Sequence, residues 1–280
     1  MVFARELGRV DVEDFNASFR GEIYGESGVD VDWFAEHVGR NAIDLARSPR
    51  WVVDGALGGM ALLAFRGERA WVGAFGVVPE LRGRGYARRF LADALALAAE
   101  AGATTLELEV LERNAAAIGL YERGGFTTVG ELIVWKRAPL SAAGTESVAD
   151  EDAPAVTNAV VADDEPRSYD AAAVARIARH PATCWQREPP GVAAASPVEA
   201  ILVEGAYAFV RRTAARTVLL DAGARDDRAA AALLAALDAR FPRAEPALLN
   251  EPPQGPLHDA LAAHPAWSEL TRQRRMVARL

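Results

Sequence analysis

The chain has 280 residues, of which 51% are hydrophobic and 25% charged, a balance that supports buried cores, excludes a wholly disordered polymer and allows one or two domains. A formal net charge of −8 argues against a nucleic-acid or anionic-membrane partner. The single cysteine, Cys184, excludes an internal disulfide, and no segment reads as a signal peptide or a membrane span, so a cytoplasmic location is expected.

Residues 11–20 open as a capped helix, with Phe15 and Phe19 one turn apart and facing inward. A polar stretch follows, and a second helix is expected over about 31–45, with Trp33, Phe34, Val38 and Leu45 as apolar contacts. Residues 51–57 read as strand and turn, 60–65 as a strand, and 70–78 as a third strand ending at Pro79.

The next stretch is the most informative. Arg82-Gly83-Arg84-Gly85-Tyr86-Ala87-Arg88 joins an apolar strand to a helix whose Ala87, Phe90, Leu91, Ala94, Leu95 and Ala98 recur at helical spacing. Gly102 is placed to stop that helix. A helix start leaves backbone N–H groups unpaired and carries the positive end of the dipole. Gly83 and Gly85 let the main chain close around a diphosphate, and Arg82 and Arg84 add charge suited to phosphate. The motif lacks the Lys-Ser/Thr pair of a P-loop and the G-x-G-x-x-G order of a dinucleotide fold.

Beyond it, Leu106-Glu107-Leu108-Glu109-Val110 alternates as a strand, with the two carboxylates on one face. Two carboxylates together suggest that this face meets a wet cleft, with Glu109 and Glu107 both placed as general-base candidates. Asn114 is a natural N-cap for the helix carrying Ile118 and Tyr121 on one face, with Ala117 and Leu120 on a neighbouring, core-directed one. Tyr121 carries a phenol that is protonated at neutral pH and able to donate.

Two of these motifs together resemble the Gcn5-related N-acetyltransferase (GNAT) family. Arg82, Gly85 and Ala87 fit its R-x-x-G-x-G/A signature, and Asn114, Ala117, Leu120 and Tyr121 fit its N-x-x-A-x-x-L-Y helix, followed by Gly125-Phe126. The resemblance implies a mixed-sheet α/β acyl-CoA N-acyltransferase fold and acetyl-CoA as cosubstrate without a metal. It also implies direct attack by an amine, with no covalent enzyme intermediate. By the same resemblance Phe75, Gly76 and Val77 line the pantetheine arm, residues 83–88 surround the diphosphate, and Asn114 contacts CoA. Tyr121 is then the acid, and Glu109 the base acting through water, as in the ribosomal-protein alanine acetyltransferases. The acceptor is expected to be a small-molecule primary amine. A peptide N-terminus and a non-catalytic CoA sensor are the alternatives. Tyr24, Glu26, Asp30 and Asp32 are candidates for an acidic acceptor wall, set against the simpler reading of a solvated loop. The histidines at 37, 180, 258 and 264 have no metal-ligand spacing.

Residues 139–153 lose hydrophobic periodicity and read as a linker between a catalytic domain at 1–138 and a second domain at 154–280. The second part expects strands at 200–209 and 216–221, a helix at 226–240, a strand at 247–249, a helix at 255–263 and a closing strand from 267. That order echoes 70–136 and suggests a tandem, degenerate copy. Its loop has Asp226 and Asp227 where the first has arginine and glycine. No acetyl-CoA site is therefore expected there, and covering the acceptor cleft, homodimerising or recognising a partner are its expected jobs.

Overall fold

The computed structural model describes residues 3–20, 27–140, 184–195, 197–213 and 216–280. The chain divides into two compact units, Met1–Gly130 with Arg274–Leu280, and Glu131–Gln273. This division differs from the sequence-based boundaries at 138 and 154, because two strands, β6 (Thr127–Arg137) and β11 (Trp267–Arg279), each contribute residues to both units. Most of the expected linker, and the start of the expected second domain up to residue 183, lie outside the described residues.

In the first unit, β1 (Phe3–Leu7), β2 (Pro49–Val53), β3 (Ala56–Arg66) and β4 (Arg69–Val77) form an antiparallel meander. β4 then pairs parallel with β5 (Thr105–Leu111), and the 274–279 end of β11 lies on the far side of β5. The strand β1 was not expected from its polar Arg5-Glu6 pattern; it is an edge strand, held by its ladder with β2 rather than by burial.

Helix α1 (Val12–Phe19) begins where Asp11 accepts from the Asp14 N–H, the N-cap bond that such residues supply. Phe15 is fully buried, with its ring 4.8 Å from Phe19, as expected. Arg50 on β2 ties the helix down through both oxygens of Asp14. Helix α2 (Val31–Asn41) is capped by Asp30 and stops earlier than the expected residue 45. There Ala42 turns left-handed (φ 53°) and returns its N–H to the Gly39 and Val38 carbonyls. Asp44 then donates its N–H to Leu63 of β3, so tertiary pairing takes the chain away from the helix.

The crossover helix α3 (Tyr86–Glu100) buries Phe90, Leu91, Ala94 and Ala98, and each large side chain among them contributes roughly 1.5–3 kcal/mol. Trp51 stacks on Phe90 at 4.5 Å while its indole donates to Asp93, so β2 holds one side of the helix through two residues a turn apart. Gly102 (φ 87°) follows the helix in the left-handed conformation, as expected. Helix α4 (Ala115–Arg123) starts at the Asn114 cap. Ile118 and Tyr121 are its most buried residues, whereas Ala117 and Leu120 are only partly buried. The face expected to point to the core is thus the shallower one, because Tyr121 packs between Phe75 and Phe126.

The second unit has strands and helices of its own. β7 (Glu199–Val203), β8 (Ala206–Arg212) and β9 (Thr217–Ala224) form an antiparallel meander. The expected single strand at 200–209 is a hairpin, because Gly205 (φ 81°) supplies its turn. A single helical turn (Trp185–Arg187) and the short α5 (Pro189–Ala194) precede the meander. Helix α6 (Asp227–Arg240), capped by Asp226, crosses to β10 (Ala247–Glu251), parallel to β9; α7 (Pro256–Ala263) leads on to β11. Ile133 and Trp135 of β6 join the core under α6 and α7.

Candidate functional site

The site is built where two parallel strands part. The β4–β5 ladder covers only Arg69–Trp71 opposite Thr105–Glu107, although the strands continue to Val77 and Leu111. The cause lies in β4. Leu62 faces Ala74 but Leu63 faces Val72, so Gly73 is an extra residue, a β-bulge that bends the strand. Beyond Trp71 the side of β4 toward β5 has no partner strand, which leaves backbone groups along Phe75–Val77, other than the Val77 carbonyl taken by Arg82, available to an extended amide-bearing ligand. Gly76 is also where α1 crosses, since a Cβ there would stand 2.7 Å from Cβ of Ser18.

From Val77 the chain turns through Pro79–Leu81 into α3. Gly83 (φ 72°) and Gly85 (φ 83°) are both left-handed, and a Cβ on either would meet no protein atom within 4 Å. The glycines thus serve the backbone path and leave open space before the helix. No side chain caps α3, so its first N–H groups, at Tyr86, Ala87 and Arg88, face that space with the helix dipole behind them. Arg84 and Arg88 are exposed and make no ion pair among the described residues. Arg82 differs from the expected phosphate ligand: its Nε donates to the Val77 carbonyl (3.0 Å) and its Nη2 to the Ser18 carbonyl (3.2 Å), bracing the loop against α1.

On β5 the carboxylates separate in character. Glu107 is buried and bound by Arg69 (2.5 Å) and Arg275 (2.9 Å). The face expected to be wet is closed at this position by two guanidinium groups, one of them from residue 275, which no local pattern could reveal. Glu109 forms no ion pair among the described residues. Its Oε2 accepts from the indole of Trp71 at 2.7 Å, and its Oε1 is buried without a hydrogen bond among the described residues. Burial pushes its pKa up to about 7, helped by the charge of Glu107 and opposed by the Trp71 bond and Arg275. Tyr121 is buried, and desolvation holds its phenol protonated far above neutral pH. Asn114 accepts from the Ala117 N–H at 3.1 Å, which uses one side-chain oxygen and leaves the exposed amide nitrogen.

Of the acidic-wall candidates, Asp30 is the α2 cap, Asp32 is exposed in the first turn, and Tyr24 and Glu26 lie outside the described residues. His37 stacks on Trp33 at 4.9 Å, with burial and Arg40 lowering its pKa to about 4. His180 is outside the described residues, His264 pairs with Asp238, and the ring of His258 lies edge-on to Trp135. Cys184 is buried. Among the described residues no group of three or more His, Cys, Asp or Glu side chains is placed to hold a metal ion, and no helix is long and apolar enough to cross a membrane.

In the second unit β9 and β10 also form a short parallel pair. β9 and β10 are in register only at Val218–Leu219 with Ala247–Leu248, and the residue after Leu219 is again a bulge in the pairing with β8. Here the gap is filled from within. Arg187 donates to Asp221 (2.7 Å) and the Ala222 carbonyl (2.5 Å) on β9, and to Glu251 (2.6 Å) and the Asn250 carbonyl (3.1 Å) on β10.

A bulged, parted parallel pair, a glycine-rich turn and an uncapped crossover helix together define the mixed-sheet fold of the GNAT acetyltransferases. Residues 11–126 match the model of the Acetyltransferase (GNAT) family. An acetyltransferase of Yersinia enterocolitica is 32% identical over 85 residues, 30% of this chain. The match spans 60% of that relative's length. A GCN5-related N-acetyltransferase from Sphaerobacter thermophilus has the same fold over 99% of this chain and 95% of its own, at TM-score 0.66 and 15% identity. Another, from Anabaena variabilis, covers 99% of this chain and 72% of its own, at TM-score 0.54 and 15% identity.

Proposed function

We propose that the first unit transfers an acetyl group from acetyl-CoA to a primary amine. The observation that carries this reading is the parting of β4 from β5 directly before the uncapped start of α3. A pantetheine arm fits the edge of β4 along Phe75–Val77, where no strand pairs, as an added strand would. The diphosphate then meets the N–H groups of residues 83–88 and the unpaired guanidinium groups of Arg84 and Arg88. The family match and the acetyltransferase relative point to the same donor.

The chemistry follows from the two titratable groups. Glu109, poised near neutrality, takes a proton from the acceptor's ammonium through a water molecule. The free amine attacks the thioester carbonyl, the C–N bond forms and the C–S bond breaks. Tyr121 donates a hydrogen bond to the departing sulfur. Its elevated proton affinity makes that contribution mainly stabilisation of the thiolate, with the final proton reaching CoA as it leaves. A small-molecule amine is the acceptor proposed, with a peptide N-terminus the outcome that would replace it.

The second unit is proposed as a degenerate copy without a CoA site. Arg187 occupies the gap that the ligand would need, and Asp226 occupies the helix start.

The test is free-thiol release on incubation with acetyl-CoA and panels of small amines and peptides, alongside CoA affinity by calorimetry. Turnover is expected with small amines. Arg84→Glu with Arg88→Glu should weaken CoA binding by roughly ten- to a hundredfold, the scale of lost charge-assisted hydrogen bonds. Unchanged affinity, or CoA binding without turnover on any amine, would overturn the reading.

A further inference from the structure

Trp71 has no part in the family motifs, yet its surroundings are specialised. It sits on β4, 2% exposed, at the last rung of the β4–β5 ladder. Its indole N–H reaches across to Oε2 of Glu109, and the other oxygen of that carboxylate is left buried and unbonded among the described residues. The ring needs room to lie there. A Cβ on Gly73 would stand 2.6 Å from Cζ3 and 3.1 Å from Cη2 of Trp71, and 3.2 Å from Cδ1 of Ile43. The glycine that makes the bulge is also the glycine that accepts the indole. One residue type thereby serves both the parting of the strands and the placement of the ring.

We propose that Trp71 is a positioning residue for the base: its N–H fixes one oxygen of Glu109, so that the other oxygen receives the acceptor's proton. This rests on the reading of Glu109 as base. A single neutral donor holds the carboxylate's orientation without the full charge that an arginine would bring. The contrast is two residues away, where Arg69 and Arg275 bind both oxygens of Glu107 and leave it no role in proton transfer. The charged groups acting on Glu109 are Glu107 on its own strand and Arg275 on β11, and they oppose each other. The indole bond is therefore the adjustable contribution. Donation to the ionised form lowers the pKa, so removing it should raise the pH at which the base becomes active.

The experiment is the pH dependence of kcat/KM, at saturating acetyl-CoA and with the best acceptor found, for the wild type, Glu109→Gln and Trp71→Phe. The wild type should show an acidic limb near pH 7. In Trp71→Phe the limb should move up by about one unit, so that activity falls about tenfold below the limb and much less at pH 9. Replacing residue 71 with β-(3-benzothienyl)alanine keeps the ring's size and drops the N–H, and the same shift is expected if the Phe variant packs poorly. A second readout needs no turnover: the indole N–H resonance lost in Trp71→Phe should titrate near pH 7 in the wild type and not in Glu109→Gln. A fully active Glu109→Gln would remove the base reading itself. An inactive Glu109→Gln with an unshifted limb in both residue-71 variants would overturn the positioning role alone.

Discussion

Replacing Arg187 with methionine tests the account of the second unit most sharply. The side chain is 4% exposed and offers four hydrogen bonds, two to carboxylates and two to backbone carbonyls. Methionine keeps much of the aliphatic volume and removes every donor. Asp221 would retain the Tyr207 hydroxyl at 2.8 Å, but Glu251 and the Ala222 and Asn250 carbonyls would each lose a donor. Breaking a buried ion pair from one side costs about 3–5 kcal/mol, a large fraction of the roughly 5–15 kcal/mol that holds a domain together. The cost should depend on pH with a definite sign. Burial already raises the pKa of Glu251 with Arg187 present, and without the arginine its folded-state value should rise further above the unfolded one. A folded state that binds protons more tightly loses stability as pH rises through those values. The variant's deficit should therefore be full at pH 8 and shrink toward pH 5. The assay is urea unfolding at several pH values, with Arg187→Met also combined with Asp221→Asn and Glu251→Gln. The triple variant should recover part of the loss, since its buried groups carry no charge. A deficit below about 1 kcal/mol at pH 8, or one that grows on acidification, would refute the claim that the arginine closes this gap by neutralising both strands.

Two further outcomes concern the first unit. Because the proposed base works deprotonated and its pKa lies near 7, turnover should be about half its plateau at pH 7 and rise toward pH 8.5; Glu109→Gln should lower kcat by roughly 10²–10⁴-fold and flatten that limb. Tyr121→Phe keeps the ring that contacts Phe75 and Phe126, so acetyl-CoA affinity should hold while kcat falls by roughly 10–100-fold, the scale of one lost donor to a developing charge; an unchanged kcat would remove Tyr121 from the mechanism.

The sequence alone determined what is local. Alternation in 105–111, helical spacing in 86–100, the Asp11 and Asn114 caps and the glycines at 83 and 85 are decided within a turn or two of chain, and each of these elements formed where its pattern placed it. The segment proposed to hold the donor has a legible local conformation for the same reason: one strand end, one turn and one helix start are contiguous. Tertiary structure decided which charges are free. Arg82 looked like a phosphate ligand until the Ser18 and Val77 carbonyls took its guanidinium. Glu107 and Glu109 are equivalent in a period-two pattern, and only Arg69, Arg275 and Trp71, from 38 residues before or 168 residues after, distinguish them. The Arg187 bridge joins residues 34 and 64 apart. Hydrogen-bond pattern and backbone path are short-range consequences of residue type. The protonation state and availability of a buried charge depend on whichever neighbours the folded chain brings within a few ångströms, and those neighbours have no fixed spacing in sequence.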